Sequence, residues 1–318
     1  MTVGSPQHII LFLATAAFMV LSCLAVAKMP RKWQNVMIVI SVVICSSAIF
    51  YRFAMGLSWE GGLDLKTLLL QQLQVCNFNF ILLPLMLIPK FKLARQYSFY
   101  FSMFAAATTL VALNTRWGGA PWYEPIVFNS WLYHSFAIIC PLWMFAARGL
   151  RPERKYILPV SGCVFGYFTL VYIISEILKG AGIMAESQSF SYIYNTDGIP
   201  VLHTFHKWIG VPYWHLAPAF VIVVIFFFLL SLPFTRTISF DGNGAQGKLK
   251  KLYGTTKCEL KLLQGGFEME GYILVGWSDS PDGEVKYALG ETITVGKKMQ
   301  LYAVWEQMDQ ISAPDETE

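Results

Sequence analysis

The feature that most constrains this chain is a series of seven apolar runs within its first 234 residues. Each has about 17 to 23 residues, the length that an α-helix needs to cross a hydrocarbon core about 30 Å thick. They begin near Ile9, Val36, Leu68, Tyr97, Ile126, Tyr156 and Val211. Because lipid offers the backbone no hydrogen-bond partners, the pattern predicts an all-α membrane bundle of about seven transmembrane helices.

Composition supports a membrane location, because 55% of the 318 residues are hydrophobic and only 14% are charged. Soluble domains carry about a quarter charged residues. The first 234 residues hold 15 Lys and Arg against 7 Asp and Glu, and the remainder holds 9 against 13. In a membrane protein, such an excess of Lys and Arg lies beside the helix ends, where these residues contact anionic lipid headgroups. We therefore expect membrane lipids as partners and no nucleic acid.

The basic residues are also unevenly divided between alternate loops. The loops after the first, third and fifth runs hold ten of them, and the opposite loops hold four. The ten are Lys28, Arg31, Lys32, Lys90, Lys92, Arg95, Arg148, Arg151, Arg154 and Lys155, and the four are Lys66, Arg116, Lys179 and Lys207. The positive-inside rule therefore predicts a multipass protein of the cell membrane with its N-terminus outside and its C-terminal domain in the cytoplasm.

The first run has an alternative interpretation as a cleaved signal peptide. Ala25-Val26-Ala27 has the form of a signal peptidase site. A spanning helix is the favoured interpretation, because no basic residue precedes the run and Lys28 follows it directly.

The composition changes after Phe234 to Gly, Lys, Thr and short β-type segments. Asp241-Gly242 and Asp282-Gly283 are turn signals between such segments. We therefore divide the chain into a transmembrane domain over 1–234, a small β-rich soluble domain over 235–306, and a disordered acidic tail over 307–318.

Three motifs in the soluble domain occur in the order of a known bacterial repeat. Phe240-Asp-Gly-Asn-Gly244 comes first, Gly271-Tyr-Ile-Leu-Val-Gly-Trp277 follows, and Leu301-Tyr-Ala-Val-Trp305 ends the segment. Residues 238–305 thus resemble the Listeria-Bacteroides repeat, the B-type repeat of internalins. The resemblance implies a β-grasp-like module without catalytic residues, used as a spacer or to bind a protein partner. Because so small a domain needs large side chains to bury enough area, we expect the aromatic residues to form its core: Phe240, Tyr272, Trp277, Tyr302 and Trp305.

Polar side chains inside membrane-spanning runs are costly, so each is a candidate functional residue. The candidates are Arg52, Gln72, Gln74, Cys76, Asn77, Asn79, Asn129, His134 and Glu176. Cys76 and His134 each lie eight residues below the outer end of an inward-running helix, about 12 Å deep at 1.5 Å per residue. Equal depth would let the thiol and the imidazole meet as nucleophile and base.

Helical spacing suggests a polar shell around this pair. Gln72, Cys76 and Asn79 would share one face of their helix, and Ser130 and His134 one face of theirs. A membrane cysteine also serves as a small packing residue, and a membrane histidine also bonds a neighbouring helix. Both interpretations remain open from spacing alone.

Motifs in the helical part resemble a family of multipass bacterial membrane proteins. They are Leu73-Gln-Val-Cys-Asn77, Trp131-Leu-Tyr-His134, Arg151-Pro152, Tyr192-Ile-Tyr194 and Gly210-Val-Pro-Tyr-Trp214. These segments, within residues 8–234, look like the YwaF-type family. Its eukaryotic relatives are regarded as acyltransferases that move a fatty acyl chain between phospholipids through a cysteine and a histidine. The matching positions are Cys76 and His134.

The leading hypothesis from the sequence is therefore a phospholipid or lysophospholipid acyltransferase near the outer leaflet. Cys76 would be the nucleophile and His134 the base, and Gln72, Asn77, Asn79 and Ser130 would be supporting polar residues. No cofactor is expected. The alternative is a membrane sensor or scaffold without enzymatic activity, which binds a lipid or small molecule and recruits a partner through the C-terminal repeat.

A zinc site is a weaker alternative. His203, His206 and His215 occur within 13 residues, and His-x-x-His can place two imidazoles on one helical face. No acidic or cysteine ligand is adjacent, and the six cysteines have no paired spacing. We therefore predict no metal site and interpret the histidines as part of an aromatic belt at the membrane interface.

Overall fold

The computed structural model describes residues 2–58, 65–112, 120–147, 149–196, 199–255 and 258–308. It divides into two compact units, Met1–Leu229 and Leu230–Glu318. Arg116, Arg148 and residues 309–318 of the predicted acidic tail lie outside the described residues. The two units are considered separately.

The first unit is helical. Its helices over the described ranges are α1 (Pro6–Lys28), α2 (Arg31–Ser58), α3 (Leu65–Leu70), α4 (Asn79–Met86), α5 (Lys92–Tyr97), α6 (Met103–Ala112), α7 (Pro125–Ala146), α8 (Ile157–Gly180), α9 (Pro200–Ile209) and α10 (Leu216–Ser231). Five apolar stretches within the described residues are long enough to cross a membrane. They are Pro6–Lys28, Arg31–Tyr51, Pro125–Ala146, Arg154–Gly180 and Leu216–Phe234.

The predicted count of seven spanning helices is not confirmed: the third apolar run is interrupted, and the fourth contains a π-helical turn within its helix. In the third run, α3 and α4 are separated by two 3₁₀ turns, Gln71–Leu73 and Val75–Phe78. Gln74 stands between those turns in an extended conformation, with ψ at 130°. In the fourth run, α5 and α6 flank a π-helical turn over Ser98–Ser102.

Helix α7 lies at the centre of the first unit and packs against α1, α2 and α6. Its side chains are buried over most of its length, including His134. By contrast, α1 and α10 expose large apolar residues such as Leu21 and Leu229. Apolar side chains on the periphery with polar ones inside suit a lipid environment, in which the apolar face needs no protein cover.

The second unit is built from short strands, as predicted. They are β1 (Thr235–Asp241), β2 (Leu252–Thr255), β3 (Cys258–Lys261), β4 (Tyr272–Ser278), β5 (Tyr287–Ala288), β6 (Thr292–Val295) and β7 (Met299–Gln307). Five form one sheet in the order β2-β1-β7-β4-β5, and β3 pairs with β6 in a second sheet. β1 and β7 are parallel, with Phe240 opposite Leu301, and the other pairs are antiparallel. The β-rich class is confirmed, and the closer β-grasp assignment stays a prediction.

Trp277 is the centre of the core of the second unit. Its side chain is fully buried, its indole N–H donates to the Leu263 carbonyl at 3.0 Å, and the Phe240 ring lies 4.7 Å away. Trp305 also packs on this core. The prediction is wrong for Tyr272, which is 39% exposed because it stands at the start of β4, whereas the buried residues of that strand lie at its C-terminal end. Tyr302 is half-buried and lies outside the central cluster.

Candidate functional site

Cys76 lies where a membrane helix is interrupted. The thiol-bearing residue is half-buried in the 3₁₀ turn Val75–Phe78, directly after the extended Gln74. Non-helical backbone at membrane depth is tolerated only where protein groups or a water-filled cavity satisfy its polar atoms. The groups that hydrogen-bond this non-helical backbone therefore define the surroundings of Cys76.

Ser191, from the segment between α8 and α9, supplies the first set of partners. Its hydroxyl donates to the Leu73 carbonyl at 2.6 Å and accepts the Val75 N–H at 2.9 Å. Its own N–H donates to Oε1 of Gln74 at 3.1 Å. These three bonds hold both sides of the break. Ser191 and Tyr192 have positive φ angles, 52° and 62°, a costly conformation that persists where the surrounding contacts enforce it.

The second set of partners comes from α7 through Tyr133. Its hydroxyl donates to the carbonyl of Cys76 and accepts from Nδ2 of Asn79 at 3.2 Å. Oδ1 of Asn79 in turn accepts the Ser102 hydroxyl at 2.6 Å. The result is a chain of hydrogen bonds that runs from Ser102 through α4 to Tyr133 and the Cys76 backbone.

His134 is buried and directly follows Tyr133. Its Nδ1 lies 2.7 Å from the carbonyl oxygen of Ser130. Because a carbonyl only accepts, Nδ1 is the donor; in the neutral imidazole the lone pair is then on Nε2, the tautomer that a general base needs. The imidazole also contacts the Tyr133 ring edge to face, with centroids 4.6 Å apart. Tyr133 thus touches both predicted residues, the imidazole by its ring and Cys76 by its hydroxyl.

The predicted amide shell is only partly assembled. The helix that would place Gln72, Cys76 and Asn79 on one face is interrupted at Gln74, so Gln72 is exposed and bonds the Leu68 carbonyl at 3.2 Å. Asn77 is buried, with its Nδ2 donating to the Gln71 carbonyl at 2.8 Å. Its Oδ1 is 4.0 Å from the Cys76 sulfur. Asn77 is therefore a shell residue with a side-chain contact to the thiol.

Aromatic residues form a further wall beside Cys76. The Tyr167 ring of α8 stacks on Phe78 with centroids 4.8 Å apart, and Tyr97 of α5 meets Phe78 edge to face at 6.3 Å. The Tyr167 hydroxyl also lies 3.5 Å from the Gln72 carbonyl oxygen, next to the break. The surroundings of the thiol thus combine apolar rings with polar tips, as a site for an amphipathic ligand requires.

The other polar candidates lie elsewhere or serve packing. Asn129 is buried and donates to the Ala48 carbonyl of α2 at 2.9 Å, a bond between helices. Glu176 accepts a hydrogen bond from the Tyr194 hydroxyl near the C-terminal end of α8. The side chain of Arg52 lies outside the described residues.

His203 and His206 lie in α9 and His215 in the turn after it, and His215 binds the segment that carries Ser191. Nε2 of His215 donates to the Tyr192 carbonyl at 2.9 Å, and His206 contacts His215 at 3.3 Å. Burial lowers the pKa of His215, although its bonds to the Tyr192 and Val211 carbonyls act in the opposite direction. His203 contacts Thr196 instead. Within the described residues, no three His, Cys, Asp or Glu side chains are grouped to hold a metal ion.

Sequence reasoning missed the residues that satisfy the break. Tyr133 was visible only as a neighbour of His134 in a motif, and Ser191 precedes the motif Tyr192-Ile-Tyr194. Ser102 gave no signal, because a serine in a membrane helix usually bonds within its own helix.

Two family models match the chain. The TMEM164 family matches residues 3–232, and the Listeria-Bacteroides repeat domain matches residues 237–304. The resemblance of the C-terminal domain is thereby confirmed, whereas the YwaF-type assignment of the membrane part is not. No curated protein and no solved structure is detectably similar to the chain.

Proposed function

Given that the chain belongs to the TMEM164 family over its membrane-embedded part, we propose that this part is an acyltransferase in which Cys76 carries the acyl group. The observation that carries the proposal is the break at Cys76, whose backbone is satisfied by side chains from two other segments, Ser191 and Tyr133. A cysteine that only filled space would need no such break, because a regular helix already satisfies its backbone. His134 would be the base.

The proposed reaction has two half-reactions. In the first, His134 takes the thiol proton, the sulfur of Cys76 attacks the ester carbonyl of a phospholipid, and the bond from that carbonyl to the glycerol oxygen breaks. The imidazolium gives its proton to the departing oxygen. In the second, the hydroxyl of a lysophospholipid loses its proton to His134 and attacks the thioester. The carbon–sulfur bond breaks, and the thiolate recovers the proton.

Supporting residues have distinct proposed roles. Ser130 fixes the imidazole tautomer through its carbonyl rather than its hydroxyl. Nδ2 of Asn77 has a second hydrogen besides the one bound to Gln71, so it is the proposed donor to the oxyanion. Asn79 has a positioning role, because both ends of its amide are bonded to Tyr133 and Ser102. Gln72, which is exposed, has no proposed role in the reaction.

The proposed topology follows the basic residues. Ten lie in the loops after the first, third and fifth apolar runs and four in the opposite loops, so the N-terminus is placed outside and the repeat domain in the cytoplasm. The histidine-bearing segment that covers the break would then face the outer leaflet. The repeat domain would act as an interaction module.

The proposal is tested in vesicles that contain the purified full-length protein, a phospholipid with an isotope-labelled acyl chain and an unlabelled lysophospholipid acceptor. Loss of a positioned base or nucleophile costs about 10²- to 10⁴-fold, so Cys76→Ser and His134→Ala are expected to lower label transfer at least that far. Cys163→Ser is the matched control, because Cys163 is exposed on the apolar surface of α8.

Equal transfer by the wild type and all three variants would reject the role of Cys76 and His134. If the wild type transfers no label yet binds the lysophospholipid, the protein is a lipid-binding sensor or scaffold instead. That outcome would retain lipid binding by the membrane part and reject the enzymatic activity.

A further inference from the structure

Helix α9 is short and strongly amphipathic. Its apolar residues recur at spacings of one, four, seven and eight, which places them in one arc of the helix surface. They are Val201, Leu202, Phe205, Trp208 and Ile209. The polar residues His203, Thr204, His206 and Lys207 occupy the opposite side. The helix is therefore built to lie between an apolar and a polar environment.

Only part of the apolar arc is covered by the first unit. Leu202 and Phe205 are half-buried, whereas Trp208 is 75% exposed and Val201 is 54% exposed. The exposed apolar surface continues beyond the helix through Val211 and Trp214. Gly210, at φ 68°, ends α9 in the left-handed conformation that glycine adopts without strain.

We propose that α9 lies in the plane of the membrane, with Trp208 and Val201 inserted into the leaflet at which α10 begins. We assign lipid to the exposed part of the apolar arc for two reasons. The spanning stretch that starts at Leu216 follows the end of α9 by only seven residues, which keeps α9 near the same interface. Exposed tryptophans beside a lysine are the side chains that settle at the boundary between headgroups and acyl chains.

Inserted in this way, α9 anchors the segment that covers the break at Cys76. His206, on its polar side, contacts His215, and His215 bonds the Tyr192 carbonyl next to Ser191. The contacts from His206 to His215 and from His215 to Tyr192 thus connect α9 to the segment that bonds the break. The placement of α9 itself does not depend on the proposed activity.

The placement is tested by photochemical cross-linking of the full-length protein in phosphatidylcholine vesicles. Benzoylphenylalanine is incorporated at position 208 in one variant and at position 207, on the polar side, in the matched control. After irradiation, the intact protein is weighed by mass spectrometry. Position 201 is a second probe on the same arc, in case the variant at 208 does not fold.

We expect the probe at 208 or 201 to yield a protein carrying one phosphatidylcholine, with a yield about fivefold above that at 207, because the apolar arc faces acyl chains. Equal lipid yields on the two sides would overturn the placement. Covalent dimers from the probe at 208, in place of lipid adducts, would overturn it as well, since a second copy would then cover the arc.

Discussion

Tyr133→Phe removes one oxygen atom and, with it, two hydrogen bonds at the break. The hydroxyl donates to the Cys76 carbonyl and accepts from Asn79 at 3.2 Å. Hydrogen bonds between membrane helices contribute about 0.6 kcal/mol on average and about 1.7 at most. The substitution should therefore lower the free energy of unfolding by about 1 to 3 kcal/mol.

A loss of that size lowers the midpoint of thermal unfolding by about 2 to 12 °C, at about 2 to 4 °C per kcal/mol for a domain of this size. The assay is intrinsic fluorescence of the purified protein in detergent during heating. The proposed acyl transfer should fall too, because the Cys76 backbone loses a fixed point.

Tyr100→Phe is the matched control. Tyr100 is fully buried, and its hydroxyl has no hydrogen-bond partner within the part of the chain that the structure describes. Removing that hydroxyl should leave the midpoint unchanged or raise it slightly. If Tyr133→Phe and Tyr100→Phe shift the midpoint equally, the hydrogen bonds at the break do not stabilise it and the reasoning is refuted.

Three further predictions concern other parts of the chain. The segment 235–308, produced alone, should unfold cooperatively in urea. Trp277→Ala should lower its free energy of unfolding by about 3 to 5 kcal/mol, because Trp277 is fully buried. A gradual transition of the unsubstituted segment would contradict independent folding. Because the folded-state pKa of His215 lies below its unfolded value, stability should fall as the pH drops through about 6.5, and His215→Gln should reduce that fall in thermal unfolding. A reporter fused after Glu318 should be active only in the cytoplasm, and activity outside would reverse the topology.

The positions of the long helices could be predicted because membrane thickness sets a minimum length for an apolar run. The interruption at Gln74 could not be predicted that way. Hydropathy shows that the run is apolar but not where its backbone leaves the helix. The non-helical backbone is satisfied by Tyr133 and by Ser191, which lies more than a hundred residues later in the sequence. The Gln and Asn side chains clustered around Cys76 were the sequence signal for this interruption, because amide side chains hydrogen-bond nearby backbone groups.

The C-terminal domain followed from its motifs more closely. Trp277 is a core residue because it lies in the buried C-terminal part of β4, where its indole N–H donates to the Leu263 carbonyl. Tyr272 belongs to the same motif but begins the strand, where the sheet gives it little cover. A motif identifies the strand, whereas the burial of each residue depends on its position along it.

The most direct test of the proposed function is to trap the acyl group on the protein. The full-length protein is incubated with a phospholipid donor in the absence of any acceptor, quenched in acid, digested and examined by mass spectrometry. The proposal predicts an acyl mass on the peptide that contains Cys76, removed by neutral hydroxylamine as a thioester is, and absent from Cys76→Ser. An acyl mass at another residue, or transfer that proceeds in Cys76→Ser at the rate of the wild type, would contradict it.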